Sequence, residues 1–138
     1  MKPLKVVVHH SATVDGRTFS WSAIKRYHVD TLHWLDIGYH VGVELVDDDY
    51  FALFGRPWDM DGAHTQGQNS IALGLCFIGN YDTYEPDDEM LITGAKVVKL
   101  WRRLYDIPVS AIHKHSEYQN KTCPGTLFPW VKFLSLCN

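Results

Sequence analysis

At 138 residues, with 46% hydrophobic and 21% charged side chains, the chain is long enough for one packed domain and too ordinary in composition for a disordered one. A formal charge of −3 lacks the basic excess of a nucleic-acid binder, and no apolar run approaches the roughly 18 residues of a membrane span. Three cysteines are too few, and odd in number, for a disulfide framework, and the opening MKPLKVVVHH turns polar too soon for a signal-peptide core, so the chain is expected to be made in a cytoplasm or already trimmed.

Residues 4–9 form a β-branched run that reads as a buried strand. Residues 11–16 have loop chemistry, and Ser20 is placed to cap a helix running to about Leu32, with Ile24 and Tyr27 at apolar spacing. Gly38 breaks the chain before a strand over residues 39–46, in which Tyr39, Val41, Val43 and Leu45 share one face and His40, Gly42, Glu44 and Val46 the other. Asp47, Asp48 and Asp49 make a polar turn, and residues 50–54 return as the hairpin partner. Residues 55–70, rich in Gly, Pro, Asp and Asn, form a long loop of a kind that is often functional.

Residues 71–78 are a continuous apolar strand suited to the centre of a sheet. Pro86, Asp87 and Asp88 start a helix in which Leu91, Ala95, Val98 and Trp101 or Arg102 recur at helical spacing to about Tyr105, and Pro108 ends that region. Residues 109–112 read as a short strand and 126–136 as a last helix, with Pro124 as the residue that opens it. The order β-α-β-β-β-α-β-α predicts a single α/β (α+β) domain over residues 1–138, with a central mixed sheet of about five strands and about three flanking helices.

The chemistry concentrates near the end of the chain. His115 and Cys123 stand eight positions apart in HSEYQNKTCPG, with Lys121 two residues before the cysteine. Imidazole nitrogen and thiolate sulfur are ligands that zinc prefers, and three ligands with one open position make a catalytic site. His9, at the end of the first strand, supplies a third. Extended backbone turns Lys121 and Cys123 to the same side, and a helix opened by Pro124 favours the thiolate form. Zinc so held activates water and polarises a carbonyl, while a cationic donor stabilises the developing oxyanion. Lys121 fits that role and Tyr39 offers a second donor, which predicts amide hydrolysis.

Blander readings stand beside these. His28 and His33 read as structural or solvent-facing, and His10 alternates with His9 and faces the other way. His113 shares a face with His115 and competes for the ligand role; the spacing to Cys123, which lets a loop close on a metal, favours His115. Cys76 in LGLCFIG reads as a buried hydrophobe, and Cys137 as a free thiol at a frayed end. Taken alone, Tyr39 is a core aromatic and Lys121 a solvated charge.

Four segments in order, VVVHHSAT, HWLDIGYHVGV, GAHTQGQNSIALGLCFIGNYD and HSEYQNKTCPG, resemble the zinc-dependent type 2 N-acetylmuramoyl-L-alanine amidases, a group that includes phage endolysins and peptidoglycan recognition proteins. The resemblance spans about residues 5–130 and looks most like the endolysin branch. It implies an amidase/recognition-protein fold, one zinc ion, His9, His115 (rather than His113) and Cys123 as ligands, and Tyr39 and Lys121 as catalytic groups. His64, Asn69 and Ser70 are the implied contacts to the muramyl peptide of bacterial peptidoglycan. The implied reaction cuts the amide between N-acetylmuramic acid and L-alanine of the stem peptide, in a lytic enzyme of phage or prophage. The chain is also expected to be a monomer that inserts into no membrane, made in the host cytoplasm without a signal peptide and reaching the cell wall after release.

Two departures from the family pattern stand out. The three aspartates at 47–49 replace a tight Asp-Gly turn and imply a longer or looser hairpin, and residues 54–60 have their own loop content. Cys123 separates the chain from relatives with aspartate as third ligand and favours an active enzyme over a recognition module that binds peptidoglycan without cutting it. A metal-free cysteine hydrolase with Cys123 as nucleophile is a further rival. A purely structural zinc is disfavoured, because no fourth ligand is evident.

Overall fold

The computed structural model describes residues 1–13 and 21–138. One sheet is built from β1 (Lys5–His10), β2 (Val41–Val46), β3 (Asp49–Phe54), β4 (Ala72–Phe77) and β5 (Ile112–Lys114), ordered β3-β2-β4-β1-β5. β4 pairs in parallel with β1 and β2, β1 pairs in parallel with β5, and β3 runs antiparallel to β2. Three α-helices accompany it: α1 (Trp21–Arg26), α2 (Asp88–Tyr105) and α3 (Trp130–Cys137). The mixed five-stranded sheet with three helices is the predicted architecture. Among the described residues no helix is long and apolar enough to cross a membrane.

Strand alternation gives this sheet two unequal faces. On one, Val6 and Val8 of β1, Leu73, Leu75 and Phe77 of β4, and Val41 and Val43 of β2 pack against Leu91, Ala95, Val98 and Trp101 of α2 and Phe133 of α3. Each such fully buried aliphatic or aromatic side chain contributes about 1.5–3 kcal/mol, so this is the face that holds the domain together. On the other face His9, Cys76 and Gly42 stand side by side in register. Here the cluster is smaller, made of Trp21, Ile37, Cys76 and Ile78 with Tyr39 and Leu53 against them. Glycines make room for rings on this side: a Cβ at Gly74 would lie 2.6 Å from His64 Cδ2. The thin face is where the histidines collect.

Several expectations are corrected. β2 begins at Val41, and Tyr39 lies before it, joining the smaller cluster rather than the face of Val41 and Val43. The Tyr39 carbonyl accepts from Arg56 N–H at 2.9 Å, beyond the strand ladder. The β2–β3 hairpin is tight, not long or loose: Val46 pairs with Asp49, and Asp47 takes a left-handed φ of 54° that aspartate tolerates. Residues 109–111 form a 3-10 turn closed by Ala111 N–H to Pro108 O at 2.9 Å, which delays β5 until Ile112.

The last helix starts at Trp130, after Pro129, so Pro124 does not open it and Cys123 is not at a helix N-terminus. Residues 124–129 are instead tied across to a neighbouring loop, with Leu127 N–H donating to Tyr81 O at 2.8 Å. Cys137 is not frayed; it is fully buried in the core on α3. α1 passes into a π-helical turn, Tyr27–Thr31, that ends where the predicted helix does, at Leu32. Its predicted cap, Ser20, and part of the 11–16 loop lie outside the described residues.

Candidate metal centre and its cleft

Strand β1 carries His9 near its C-terminal end, the 3-10 turn His115–Glu117 follows β5 directly, and Cys123 sits in the irregular segment beyond. These three converge: one donor atom from each lies within 4.8 Å of the others, and all three residues are buried. His9 Nδ1 is 3.8 Å from Cys123 Sγ, and the His9 and His115 ring centroids are 4.4 Å apart. Ligand atoms around a tetrahedral zinc, with bonds of about 2.0–2.3 Å, stand roughly 3.5 Å apart, so the set fits a metal ion. His115 Nε2 is buried with no hydrogen-bond partner among the described residues, an unmet polar atom beside the cluster. His113 turns elsewhere; its Nδ1 meets Glu117 Oε2 at 2.7 Å.

Burial governs the protonation of the donors. It holds His9 well below the usual imidazole range, with His64 and His115 adding to the effect, and it lowers His115, with Lys121 next. Both rings are thus neutral and present lone pairs. Burial pushes the Cys123 thiol up to about 12, against which the His10 amide and Lys121 pull down. A helix dipole does not supply the thiolate here, so a cation at the three donors is what would drive its proton off.

The segment bearing Cys123 is held by the loop that follows β4. Asp82 Oδ2 accepts from Thr122 Oγ1 at 2.7 Å and Oδ1 accepts from Thr126 N–H at 2.9 Å. The Ser116 amide donates to Cys123 O at 2.9 Å, joining the stretches that carry the His115 and Cys123 donor atoms. His10, on the opposite face from His9, is buried and its Nδ1 accepts from Tyr81 N–H at 3.1 Å, the packing role expected of it. Nothing in the sequence pointed to Asp82, which lies 40 residues from Thr122.

The donors open on a cavity of about 390 Å³ whose walls include Tyr39, Asp82, His115, Lys121, Thr122 and Cys123. Ser11 and Tyr39 also line an adjoining cleft of about 400 Å³, walled by Ala23, Ile24 and Tyr27 from α1 and the turn after it. Lys121 is exposed at the rim, and Tyr39 is half-buried between the two spaces. Burial, then Cys76 and Cys123, raises Tyr39 well above the ordinary phenol value, and a side-chain hydrogen bond joins it to Cys76. Tyr39 is therefore a neutral phenol. Cys76 itself is fully buried, as its apolar surroundings predicted.

The residues expected to touch a muramyl peptide are placed differently. His64 is buried behind His9, with both ring nitrogens engaged by protein atoms, and is not on an open groove wall. Asn69 pins the loop around it: its Oδ1 accepts from the amides of His64 and Thr65 at 2.8 and 2.9 Å. Ser70 is exposed and lines neither cavity.

A family model described as N-acetylmuramoyl-L-alanine amidase matches residues 1–126. The endolysin of Enterobacteria phage K11 is 31% identical over 130 residues, covering 91% of this chain and 83% of that protein. Peptidoglycan-recognition protein SC2 of Drosophila simulans is 31% identical over 132 residues, covering 87% of this chain and 67% of its own. Among solved structures, the N-acetylmuramoyl-L-alanine amidase LysC from Clostridium intestinale URNW has a TM-score of 0.83 over 97% of this chain and 84% of that one; at 23% identity this is a likeness of fold. The sheet, the donor cluster and the matched stretch agree, and the chain belongs to the type 2 N-acetylmuramoyl-L-alanine amidase family.

Proposed function

We propose that the chain is a zinc-dependent amidase that hydrolyses the bond between N-acetylmuramic acid and the L-alanine of the peptidoglycan stem peptide. The observation that carries this reading is the convergence of His9, His115 and Cys123 beside an open cavity. His9, His115 and Cys123 would hold the ion, and zinc in such a set supplies Lewis-acid activation of water and of the scissile carbonyl. The two imidazoles, kept neutral by burial, donate lone pairs. Lys121 at the rim faces the carbonyl oxygen as it gains negative charge, the electrostatic contribution that dominates acyl transfer. Tyr39, a neutral phenol between the two cavities, is placed to donate a hydrogen bond to substrate once it leaves Cys76. The substrate itself would lie along the adjoining cleft, with the sugar and peptide on either side of the donors.

Likeness to the phage K11 endolysin supports a lytic role on the bacterial cell wall. Likeness to recognition protein SC2 supports peptidoglycan as the ligand, and a second reading is recognition of it without cleavage. Incubation with purified sacculi separates the two. Release of stem peptides with a new N-terminal L-alanine amine, lost in a strong chelator and restored by zinc, is the expected result. Tight binding with intact zinc and no release would support recognition alone. Cleavage that survives complete zinc removal would point to Cys123 as a nucleophile.

A further inference from the structure

His64 makes contacts that a groove residue would not make. Its Nε2 lies 3.1 Å from the Ala72 carbonyl oxygen, which can only accept, so Nε2 carries a proton. Its Nδ1 lies 3.0 Å from His9 Nε2 and 2.9 Å from Thr65 Oγ1. A neutral imidazole protonated at Nε2 has a bare Nδ1, and two bare nitrogens at 3.0 Å would repel, so the proton between the rings belongs to His9 Nε2. That leaves the lone pair of His9 on Nδ1, the atom facing Cys123 Sγ at 3.8 Å.

We infer that His64 is a positioning residue that fixes His9 in the Nε2–H tautomer and so turns its Nδ1 lone pair toward the metal position. The inference rests on the reading of His9 as a metal ligand. The nitrogen that a ligand histidine presents is normally set by the bond its other nitrogen makes; the nearer partner here, at 3.0 Å, is a second imidazole anchored to a strand carbonyl, with the Thr65 hydroxyl oxygen at 3.3 Å. The surroundings are shaped to hold that imidazole still. A Cβ at Gly74 would lie 2.6 Å from His64 Cδ2, and one at Gly62 would lie 2.8 Å from His64 Nε2, so both glycines leave the ring its space. Beside it, fully buried His40 accepts Gly74 N–H at Nδ1, 2.9 Å, and meets Met60 O through Nε2 at 2.9 Å, fixing the strand and loop on either side. Asn69 ties the His64 and Thr65 amides, so the ring, its backbone and its partner are all constrained.

Three measurements test this. Long-range ¹H–¹⁵N NMR on the metal-free chain should show His9 and His64 both protonated at Nε2. Zinc affinity, read by competition with a chromophoric chelator, should fall about 10- to 100-fold in His64→Phe, which keeps a ring but has no acceptor. His64→Asn, whose Oδ1 takes the place of Nδ1, should return affinity to within about three-fold of the unaltered chain. An Nδ1–H tautomer of His9 in the unaltered chain overturns the inference, as does unchanged zinc affinity in His64→Phe. The tautomer is read on the unaltered protein, so the test stands even if the Phe variant fails to fold. Absence of zinc affinity in the unaltered chain would instead overturn the metal reading.

Discussion

The His10 amide points at Cys123 Sγ across 3.4 Å, so β1 supplies both His9 and a hydrogen-bond donor to the Cys123 sulfur. That donor lowers the Cys123 pKa but does not outweigh burial, which leaves the thiol near 12. Metal binding must therefore expel one thiol proton, while His9 and His115 are already neutral at pH 7. Zinc affinity is expected to rise about tenfold per pH unit between roughly pH 6 and 8, one proton released per ion. Chelator competition across that range checks the slope; a slope near three would mean that the imidazoles bind protons as well.

Asp82 is exposed, yet it clamps both sides of the cysteine through Thr122 and Thr126. Those hydrogen bonds lower its pKa below 3.8, first through Thr122 and then through Thr126. The folded-state pKa is depressed, so the clamp is complete above about pH 4 and is lost as the carboxylate protonates below it. Asp82→Ala should cost about 1 kcal/mol of stability at pH 7 and weaken zinc binding several-fold by loosening the Cys123 segment. Thermal melting and chelator competition on the same samples check it. Asp82→Ala with unchanged zinc affinity would remove the clamp from the account of the site.

Lys121 and Tyr39 line the cavity without being among the three donors. Lys121→Ala is expected to lower turnover on sacculi by about 10²–10³, the usual loss when one oxyanion donor is removed, with zinc content unchanged. Tyr39→Phe should also lower turnover. Because burial holds the Tyr39 phenol well above its ordinary value, the activity of the unaltered enzyme should show no tyrosinate limb up to about pH 10. Stoichiometric zinc with full activity in Lys121→Ala would dismiss its role.

Buried imidazoles also set the acid limit of the metal-free fold. Burial lowers His9, His10 and His40, and it takes His64 down to about 3. Unfolding lets each of these rings take up a proton below its ordinary value of 6.5, so the unfolded state binds more protons and stability falls as pH drops. The expected result is a melting temperature that is flat above about pH 7 and falls steadily from pH 6.5 to pH 4. Calorimetry on the metal-free chain reads it directly, and a melting temperature flat to pH 4 would mean that these rings are hydrated.

Much of this molecule is legible in its sequence. Apolar periodicity located α2 through Leu91, Ala95, Val98 and Trp101, and the unbroken apolar run at 71–78 marked β4 as central, because a strand covered on both faces has no polar side to show. His9, His115 and Cys123 were visible as donor types near strand ends. Harder to see were contacts whose meaning is purely spatial: His64 behind His9, Asp82 across from Thr122, and Tyr39 against Cys76. No periodicity encodes a pairing between residues 55 positions apart. The misread start of α3 has a local cause, since Pro124 looks like a first helical residue while Tyr81 captures the backbone that follows it.

The wall of the adjoining cleft depends on one glycine. Trp21, 7% exposed, starts α1; its amide donates to Glu44 Oε2 at 3.0 Å and its indole N–H to Phe54 O at 3.0 Å. The indole lies flat over Gly42, where a Cβ would come 3.0 Å from Cδ2 and closer still to the six-membered ring. Gly42→Ala must therefore lift Trp21, and with it the Ala23 and Ile24 wall of the adjoining cleft. Overpacking of this kind costs about 1–3 kcal/mol. Zinc affinity should hold, because the three candidate donors hang from β1 and the segments after β5. Activity on sacculi should fall mainly through a higher KM, several-fold above the unaltered chain. A KM unchanged in a folded, zinc-loaded Gly42→Ala chain would mean that substrate does not use the α1 wall.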